Sequence, residues 1–218
     1  MNTFEDYKAF VLAILGDENQ KRYGDDMLRT ALRMALADYD RYLPRRTEIA
    51  VTVSRNDGNR LYLDWVPALD QTILSIRRSG AGSARGRFGT AVPRFLYERI
   101  STGSLITLFN QEPVAKGEKL ILQLSGHHTI EALSEASDTS VPDGHADILC
   151  QGAAGYAMQI RASAVGEVFG KRIEDYNNLL QQGKLMIGRF LQTLEEISRL
   201  QGGFGAAILT GKGFDVDA

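Results

Sequence analysis

The three histidines of the 218-residue chain are the first residues to consider for metal or acid–base chemistry. His127 and His128 are adjacent in "LSGHHTIE", and His145 is the third. Neighbouring residues on an extended strand point to opposite faces, so the two rings are poorly placed to chelate one metal. No cysteine or carboxylate stands beside them at zinc-ligand spacing. The pattern favours solvated or hydrogen-bonded histidines at a turn or strand end, and we predict neither a metal nor a cofactor.

The other candidates for catalysis have structural explanations. The single cysteine, Cys150, lies in an apolar helical run and is predicted to be a buried small hydrophobe. No serine stands in a G-x-S-x-G turn. Several acids are scattered over a connector and the start of a helix, where negative charge stabilises the helix: Glu131, Glu135, Asp138, Asp143 and Asp147. We therefore predict that the protein is not an enzyme. A hydrolase or transferase is less well supported by the sequence than a structural protein or a binding module.

A basic, glycine-rich stretch, "RRSGAGSARGRFGTAVPR", offers a different chemistry. It matches neither the Walker pattern nor the dinucleotide fingerprint, and β-like residues follow it, so no helix N-terminus is available for phosphate. The segment 77–99 either contacts phosphates or an acidic partner, or it is a solvated hairpin tip. Its only acidic residue is Glu98, against six arginines: Arg77, Arg78, Arg85, Arg87, Arg94 and Arg99.

The composition is that of an ordinary globular protein, with 44% hydrophobic and 24% charged residues. A net charge of -2 argues against a surface that coats nucleic acid or membrane, so any basic patch must be local. No stretch reaches the ~18 apolar residues that a bilayer requires, and the start lacks the basic segment of a signal peptide. We expect a cytosol-like compartment and no membrane partner.

Two pairs of helices must position these residues, one pair towards each end of the chain. Apolar residues at helical spacing predict a helix from Thr3 to Leu15 and a second from Asp25 or Asp26 to Pro44. Helical spacing returns at Pro142. It predicts an Ala- and Gly-rich helix to about Val168 and a last helix from Ile173 to Leu200.

Between the helix pairs the hydrophobic period falls to about two, which is typical of half-buried strands. The Asp57-Gly58 pair, between apolar residues that alternate with polar ones, is the strongest hairpin signal in the sequence. Further strands are predicted at 72–77, 95–100, 104–109 and 119–125.

This order predicts an α+β fold. Helices within 3–44 and 142–200 form a helical bundle, and residues 48–126 form an inserted antiparallel sheet or sandwich that projects from it. The prediction is one domain over 1–200, followed by a flexible C-terminal arm, 201–218.

Three segments carry a resemblance to a known family. They are "DDMLRTALRMALADYDRYLPR" before the β region, then "VPDGHADILCQGAAGYAMQIRA", and the final "RIEDYNNLLQQGKLMIGRFLQTLEEIS". In order and residue class they resemble the head-to-tail adaptor (connector or neck) proteins of tailed bacteriophages. The resemblance covers Asp25 to Arg199.

The resemblance implies a structural virion protein without covalent chemistry. Such adaptors form a dodecameric ring that docks on the portal, extends the DNA channel and carries the next neck or tail-completion protein. DNA passes through the lumen without sequence recognition. The implied location is the neck of the virion, after assembly in the host cytoplasm.

The C-terminal arm has a composition that suits a docking segment. Its glycines make it flexible, while its large apolar residues are unsuited to a permanently solvated linker, so we expect it to order on a partner. The resemblance implies that the partner is the portal, with β-augmentation as the mode. Folding back onto its own protomer, or disorder, stays open. The predicted docking residues are Gly203, Phe204, Ile208, Leu209, Phe214 and Val216.

A different function class also stays open. In an adaptor, Arg85 and Arg87 would line the channel or meet the portal or tail. Alternatively, the protein is a stand-alone module whose Arg-rich loop 77–99 binds nucleic acid or an acidic ligand. Aromatic residues among the arginines would then stack on bases: Phe88, Phe95 and Tyr97. Salt-sensitive DNA binding by the isolated protein would favour the module.

Overall fold

The protein is a mixed α+β fold, as predicted, and its described residues form four α-helices and an antiparallel sheet. The computed structural model describes residues 1–68, 71–78, 91–92, 94–109, 114–166 and 173–200. The chain divides into two compact units. The helical unit is Met1–Pro44 with His128–Ala218, and the β unit is Arg45–His127.

All four predicted helices are present, with ends close to those expected. Thr3 begins the first as its N-cap, in a reciprocal pair of hydrogen bonds with Asp6. The second ends just before Pro44, which is disfavoured inside a helix. The bounds are Phe4–Ile14 (α1), Asp25–Tyr42 (α2), Ala146–Gly166 (α3) and Ile173–Leu200 (α4), with a 3-10 turn at Asp143–His145 before α3.

Small residues let α3 and α4 pack closely. A Cβ atom placed on Gly152 would lie 2.7 Å from the Phe190 ring, and one on Gly155 would lie 3.0 Å from the Gly183 carbonyl oxygen. The small-residue face of α3 is therefore covered by α4 of the same chain at these two positions.

The core of the helical unit includes more than the helices. Ile130, Leu133 and Val141 belong to the connector, residues 128–142, and each is buried with the helices. The connector is thus a packed element of the unit and not a solvated linker. The largest side chains of this core are Phe4, Tyr7, Leu28, Leu32, Tyr39 and Phe190.

The β unit is an antiparallel sheet, as predicted. Its strands are β1 (Arg45–Asp57), β2 (Arg60–Leu63), β3 (Thr72–Arg78), β4 (Ala91–Val92), β5 (Phe95–Ile100), β6 (Gly103–Leu108) and β7 (Lys119–Gly126). They lie in the order β4-β3-β7-β1-β2-β6-β5. The predicted Asp57-Gly58 hairpin joins β1 to β2, and Gly58 has the positive φ of 61° that such turns use.

The sheet curls until its two ends approach each other. β4 pairs with β3 at one end of the strand order, whereas β5 pairs with β6 at the other end. Only two residues separate Val92 from Phe95, so the chain itself keeps the two ends within ~10 Å. Inside this curl lies a continuous cluster of buried residues that includes Val53, Leu61, Ile76, Ile106 and Leu122.

No helix in the described ranges is long and apolar enough to cross a bilayer. The predicted arm, 201–218, lies outside the described residues, and so does the predicted end of the third helix beyond Gly166. Whether 1–200 works as one domain stays a prediction.

Candidate functional site

Two of the predicted partner-binding arginines form ion pairs within the sheet. Arg78 donates to both carboxylate oxygens of Glu118, at 2.8 and 3.0 Å. Hydrogen bonding from this guanidinium holds the pKa of Glu118 below its usual value. Arg77 pairs with Glu48 on β1. Both side chains are less than a quarter exposed, so their charges are largely committed inside the unit.

The other residues of the predicted basic loop lie in different environments. Arg94 is exposed. Arg99 donates to the backbone carbonyl of Pro67 at 2.5 Å. Phe95 and Tyr97 pack against the buried cluster inside the sheet, which leaves them poorly placed to stack on bases. Arg85, Arg87 and Phe88 lie outside the described residues.

A different set of arginines is gathered on the outside of the curl. The register puts Leu61, Leu63, Ile106 and Leu108 inside, so the residues that alternate with them face outward. A shift of register between Val53 and Arg55 brings Arg55 into this outer set. The cross-strand rows of the outer face read Arg55, Tyr62, Leu105, Glu98 and Asp57, Arg60, Thr107, Leu96.

We call Arg55, Arg60, Tyr62, Arg94, Leu96 and Phe109 the outer arginine face. The Arg55 guanidinium lies 4.9 Å from the centre of the Tyr62 ring, a cation–π contact. Phe109 donates its backbone N–H to the Arg94 carbonyl, which continues the β5–β6 ladder. Leu96 is 49% exposed and Phe109 is 44% exposed. Cationic and apolar groups thus alternate on one side of the sheet.

Charge is divided between the two units. The β unit has twelve Lys and Arg residues against seven Asp and Glu, a surplus of five positive charges. The helical unit has thirteen against twenty, a surplus of seven negative charges. The net charge of -2 is therefore the sum of two units of opposite charge.

Two histidines and two α2 residues form a buried polar cluster in the helical unit. The Asp40 carboxylate accepts the backbone N–H of His128 at 2.9 Å and lies 2.7 Å from Nδ1 of the same residue. Both residues are less than one tenth exposed. The Tyr39 hydroxyl lies 2.5 Å from Nδ1 of His145, which places the second histidine in the same cluster.

Desolvation dominates the titration of the neighbouring groups. Burial, with a smaller contribution from the Asp40 charge, raises the pKa of Tyr39 to about 12. Burial likewise raises the pKa of Cys150 to about 12, so its thiol stays protonated at neutral pH. The buried cysteine is therefore the inert hydrophobe that the sequence predicts.

This cluster is suited to holding the chain in place and not to acid–base chemistry. An Asp–His pair acts as a general base only when the imidazole can reach a substrate, and the His128 side chain is enclosed. Asp40 also holds the backbone of His128, the first residue of the helical unit after the β insertion. The pair therefore fixes the returning chain against the end of α2.

Arginines of α2 also hold the connector, by hydrogen bonds to its backbone after His128. Arg29 donates to the carbonyl of Ala132 at 2.7 Å, and Arg33 donates to the carbonyl of Leu133 at 3.0 Å. At the same end, Thr3 forms a β-bridge with Glu131. The backbone of the connector at Glu131 is consequently held beside the start of α1.

No protein-family model matches the sequence, and no curated protein matches it significantly.

The outer arginine face and the Asp40–His128 pair were missed by sequence reasoning, although each had a signal. An acidic residue near the C-terminus of a helix opposes the helix dipole, so Asp40 two residues before the end of α2 indicates a compensating partner. Strict alternation around Arg60 and Arg94 predicts that both face away from the apolar side of the sheet. Which strands pair to bring these arginines together is known only from the sheet topology.

Proposed function

We propose that this protein is a non-catalytic structural protein of a tailed-phage virion, a head-to-tail adaptor that assembles as a ring on the portal. The observation that carries the proposal is the inserted architecture. Helices from both parts of the chain pack as one unit, and a β unit is inserted between Pro44 and His128. This is the element order on which the sequence resemblance rests.

The polar groups of the helical unit support a structural role. Its buried Asp–His pair and the α2 arginines bind backbone groups of the connector, so they stabilise the base of the insertion. The Tyr156 hydroxyl on α3 also donates to the Asp38 carboxylate on α2, which ties these two helices together. Side chains used in this manner give a rigid body, which an assembly component needs.

In the proposed role, copies of the chain form a dodecameric ring coaxial with the portal. The ring extends the DNA channel and carries the next neck or tail-completion protein on its far side, in the neck of the virion. The C-terminal arm from Gly203 to Val216 fastens the ring to the portal by adding a strand to a portal sheet edge.

Imaging of the assembled complex tests the proposal. The full chain is co-expressed with the portal protein of the same phage genome, and particles are examined by electron microscopy. We expect a closed ring, coaxial with the larger portal ring and of twelve-fold symmetry. Isolated chains that never join the portal, or a purified protein that turns over a substrate, would contradict it.

One observation favours a second candidate, a nucleic-acid-binding module. The outer arginine face combines Arg55, stacked on Tyr62, with exposed Arg94 and Phe109. Basic and aromatic groups on a sheet are what single strands bind. Affinity of the free protein for single-stranded DNA, falling steeply as salt rises, would support this module over the adaptor.

A further inference from the structure

We infer that the outer arginine face of one copy docks on the acidic end of the helical unit of a second copy. The acidic end comprises Asp6, Glu131, Glu135 and Asp138. The inference deepens the proposed function and rests on it for the closure of the contacts into a ring. The copy-to-copy contact itself follows from the distribution of charge and apolar surface.

The β unit carries a surplus of five positive charges, and the helical unit carries a surplus of seven negative charges. Identical copies repel wherever like units meet and attract wherever unlike units meet. Complementary potentials steer association and fix which surfaces meet. The partner that fits the β unit best is therefore a helical unit, and every copy of this chain supplies one.

The outer arginine face has the composition of an interface core. Leu96 and Phe109 are each more than two fifths exposed, in the same unit as the arginines. Arg55 already lies over Tyr62, so its guanidinium loses little freedom on binding. Arginine and aromatic residues are enriched among the residues that carry binding energy.

The acidic end offers matching groups. Glu135 and Asp138 are exposed on the connector, and the β-bridge between Thr3 and Glu131 holds the connector beside the start of α1. One helical turn beyond Asp6, Phe10 is 37% exposed and supplies apolar surface. Carboxylates beside an exposed aromatic residue are the counterpart of arginines beside Leu96 and Phe109.

The carboxylates within the basic face favour a protein partner over nucleic acid. Asp57 and Glu98 lie in the outer rows among the arginines, where a phosphate backbone would meet both of them. A protein surface can present a positive group opposite each of these carboxylates, and Arg29 and Arg33 donate to the connector backbone at Ala132 and Leu133, within the segment that carries the acidic end.

The contact joins two different surfaces, so it is heterologous and can repeat from copy to copy. Such a contact generates a closed ring when the rotation per copy divides a full turn, and an open filament otherwise. A row of copies joined in this way has one unoccupied basic face at one end and one unoccupied acidic end at the other, until the row closes into a ring.

Charge reversal tests the contact on the full-length chain. One variant carries Arg60→Glu and Arg94→Glu, and a second carries Glu135→Arg and Asp138→Arg. The wild-type chain is expected to associate at low ionic strength, as measured by sedimentation velocity, and to dissociate as salt is raised. Each variant alone is expected to associate at least ~10-fold more weakly. The two variants mixed are expected to associate again, because each reversed surface meets its reversed partner.

A matched control changes the charge of the β unit by the same amount elsewhere. Lys116→Glu with Lys119→Glu alters exposed residues outside the outer arginine face, and it should keep most of the association. If Arg60→Glu disturbs folding, as judged by the Trp65 fluorescence spectrum, the neutral pair Arg60→Gln and Arg94→Gln replaces it and should weaken association less.

Three results would overturn the inference. They are a wild-type chain that stays monomeric at low salt, a mixture of variants that stays dissociated, or a basic face that binds single-stranded DNA while leaving self-association unchanged on mutation. If the mixture fails but the wild-type chain still forms rings on the portal, this interface is wrong and the adaptor function survives. If no ring forms although the mixture associates, the adaptor function fails alone.

Discussion

At the scale of single residues, one glycine is required by geometry. Gly103 has a φ of 146°, and a Cβ atom on it would lie 2.1 Å from the Leu63 carbonyl oxygen. Leu63 is paired with the neighbouring Ser104, so the contact lies within the β2–β6 ladder and cannot relax without opening it.

Gly103→Ala is therefore expected to lower the free energy of unfolding of the β unit by ~3 kcal/mol. Urea unfolding followed by Trp65 fluorescence measures it, because the only tryptophan packs against the interior of this unit. Gly58→Ala is the matched control. Gly58 also has positive φ but open space around it, so the cost should be only ~1 kcal/mol. Equal costs for the two variants would contradict the account.

The buried Asp40–His128 pair gives a second prediction at this scale. Asp40→Ala removes the acceptor of a buried backbone N–H and leaves the imidazole without its partner, so a loss of ~3 kcal/mol is expected. Asp40→Asn keeps one acceptor oxygen and should cost clearly less. Thermal unfolding followed by circular dichroism of the helices is the measurement. A fully stable Asp40→Ala protein would show that the pair does not fasten the connector.

At the scale of elements, the sequence predicted what periodicity controls. Helical spacing fixed all four helices, and the alternation around Asp57-Gly58 fixed the β1–β2 hairpin. Strand order, however, depends on partners distant in sequence, and the β1–β7 pairing joins Arg45 to Gly126. The same reason explains why Arg77 and Arg78 were predicted to bind a partner. Glu48 and Glu118, with which they form ion pairs, lie far from them along the chain.

The packing of the connector could not be predicted from the sequence for a related reason. Most of its residues are small, polar or acidic, whereas Ile130, Leu133 and Val141 are buried in the helical core. Three large apolar residues in fifteen give no recognisable period. Contacts with distant residues, among them Arg29 and Arg33 of α2, show that the segment is held.

The Arg78–Glu118 pair, which ties β3 to the turn before β7, predicts a pH dependence. The pKa of Glu118 is lowered in the folded state, chiefly by hydrogen bonding from Arg78. The stabilisation is therefore fully present above the unfolded-state pKa of ~4.3, and it is lost as the pH falls through the lower folded-state pKa.

Glu118→Gln should be less stable than the wild type at pH 7 and should lose less stability on acidification. Urea midpoints from Trp65 fluorescence between neutral pH and about pH 3 provide the comparison. Glu98→Gln, a change outside this ion pair, is the control and should follow the wild-type curve. Parallel curves for Glu118→Gln and the wild type would contradict the role given to the pair.

At the scale of the whole molecule, two oppositely charged units occur in one chain whose net charge is only -2. The overall composition sums the two charges, so it gives no sign of this division. The proposed ring would use the division, because each copy would then present a different surface to each neighbour.

We propose, as the central point, that the folded part of the chain is joined to the portal by the residues after Leu200. Truncation after Leu200 tests it most directly, by comparing portal binding of the shortened chain with that of the full chain. The account predicts unchanged helix content and unfolding midpoint, together with loss of the ring from the portal. A shortened chain that assembles on the portal as well as the full chain would contradict it.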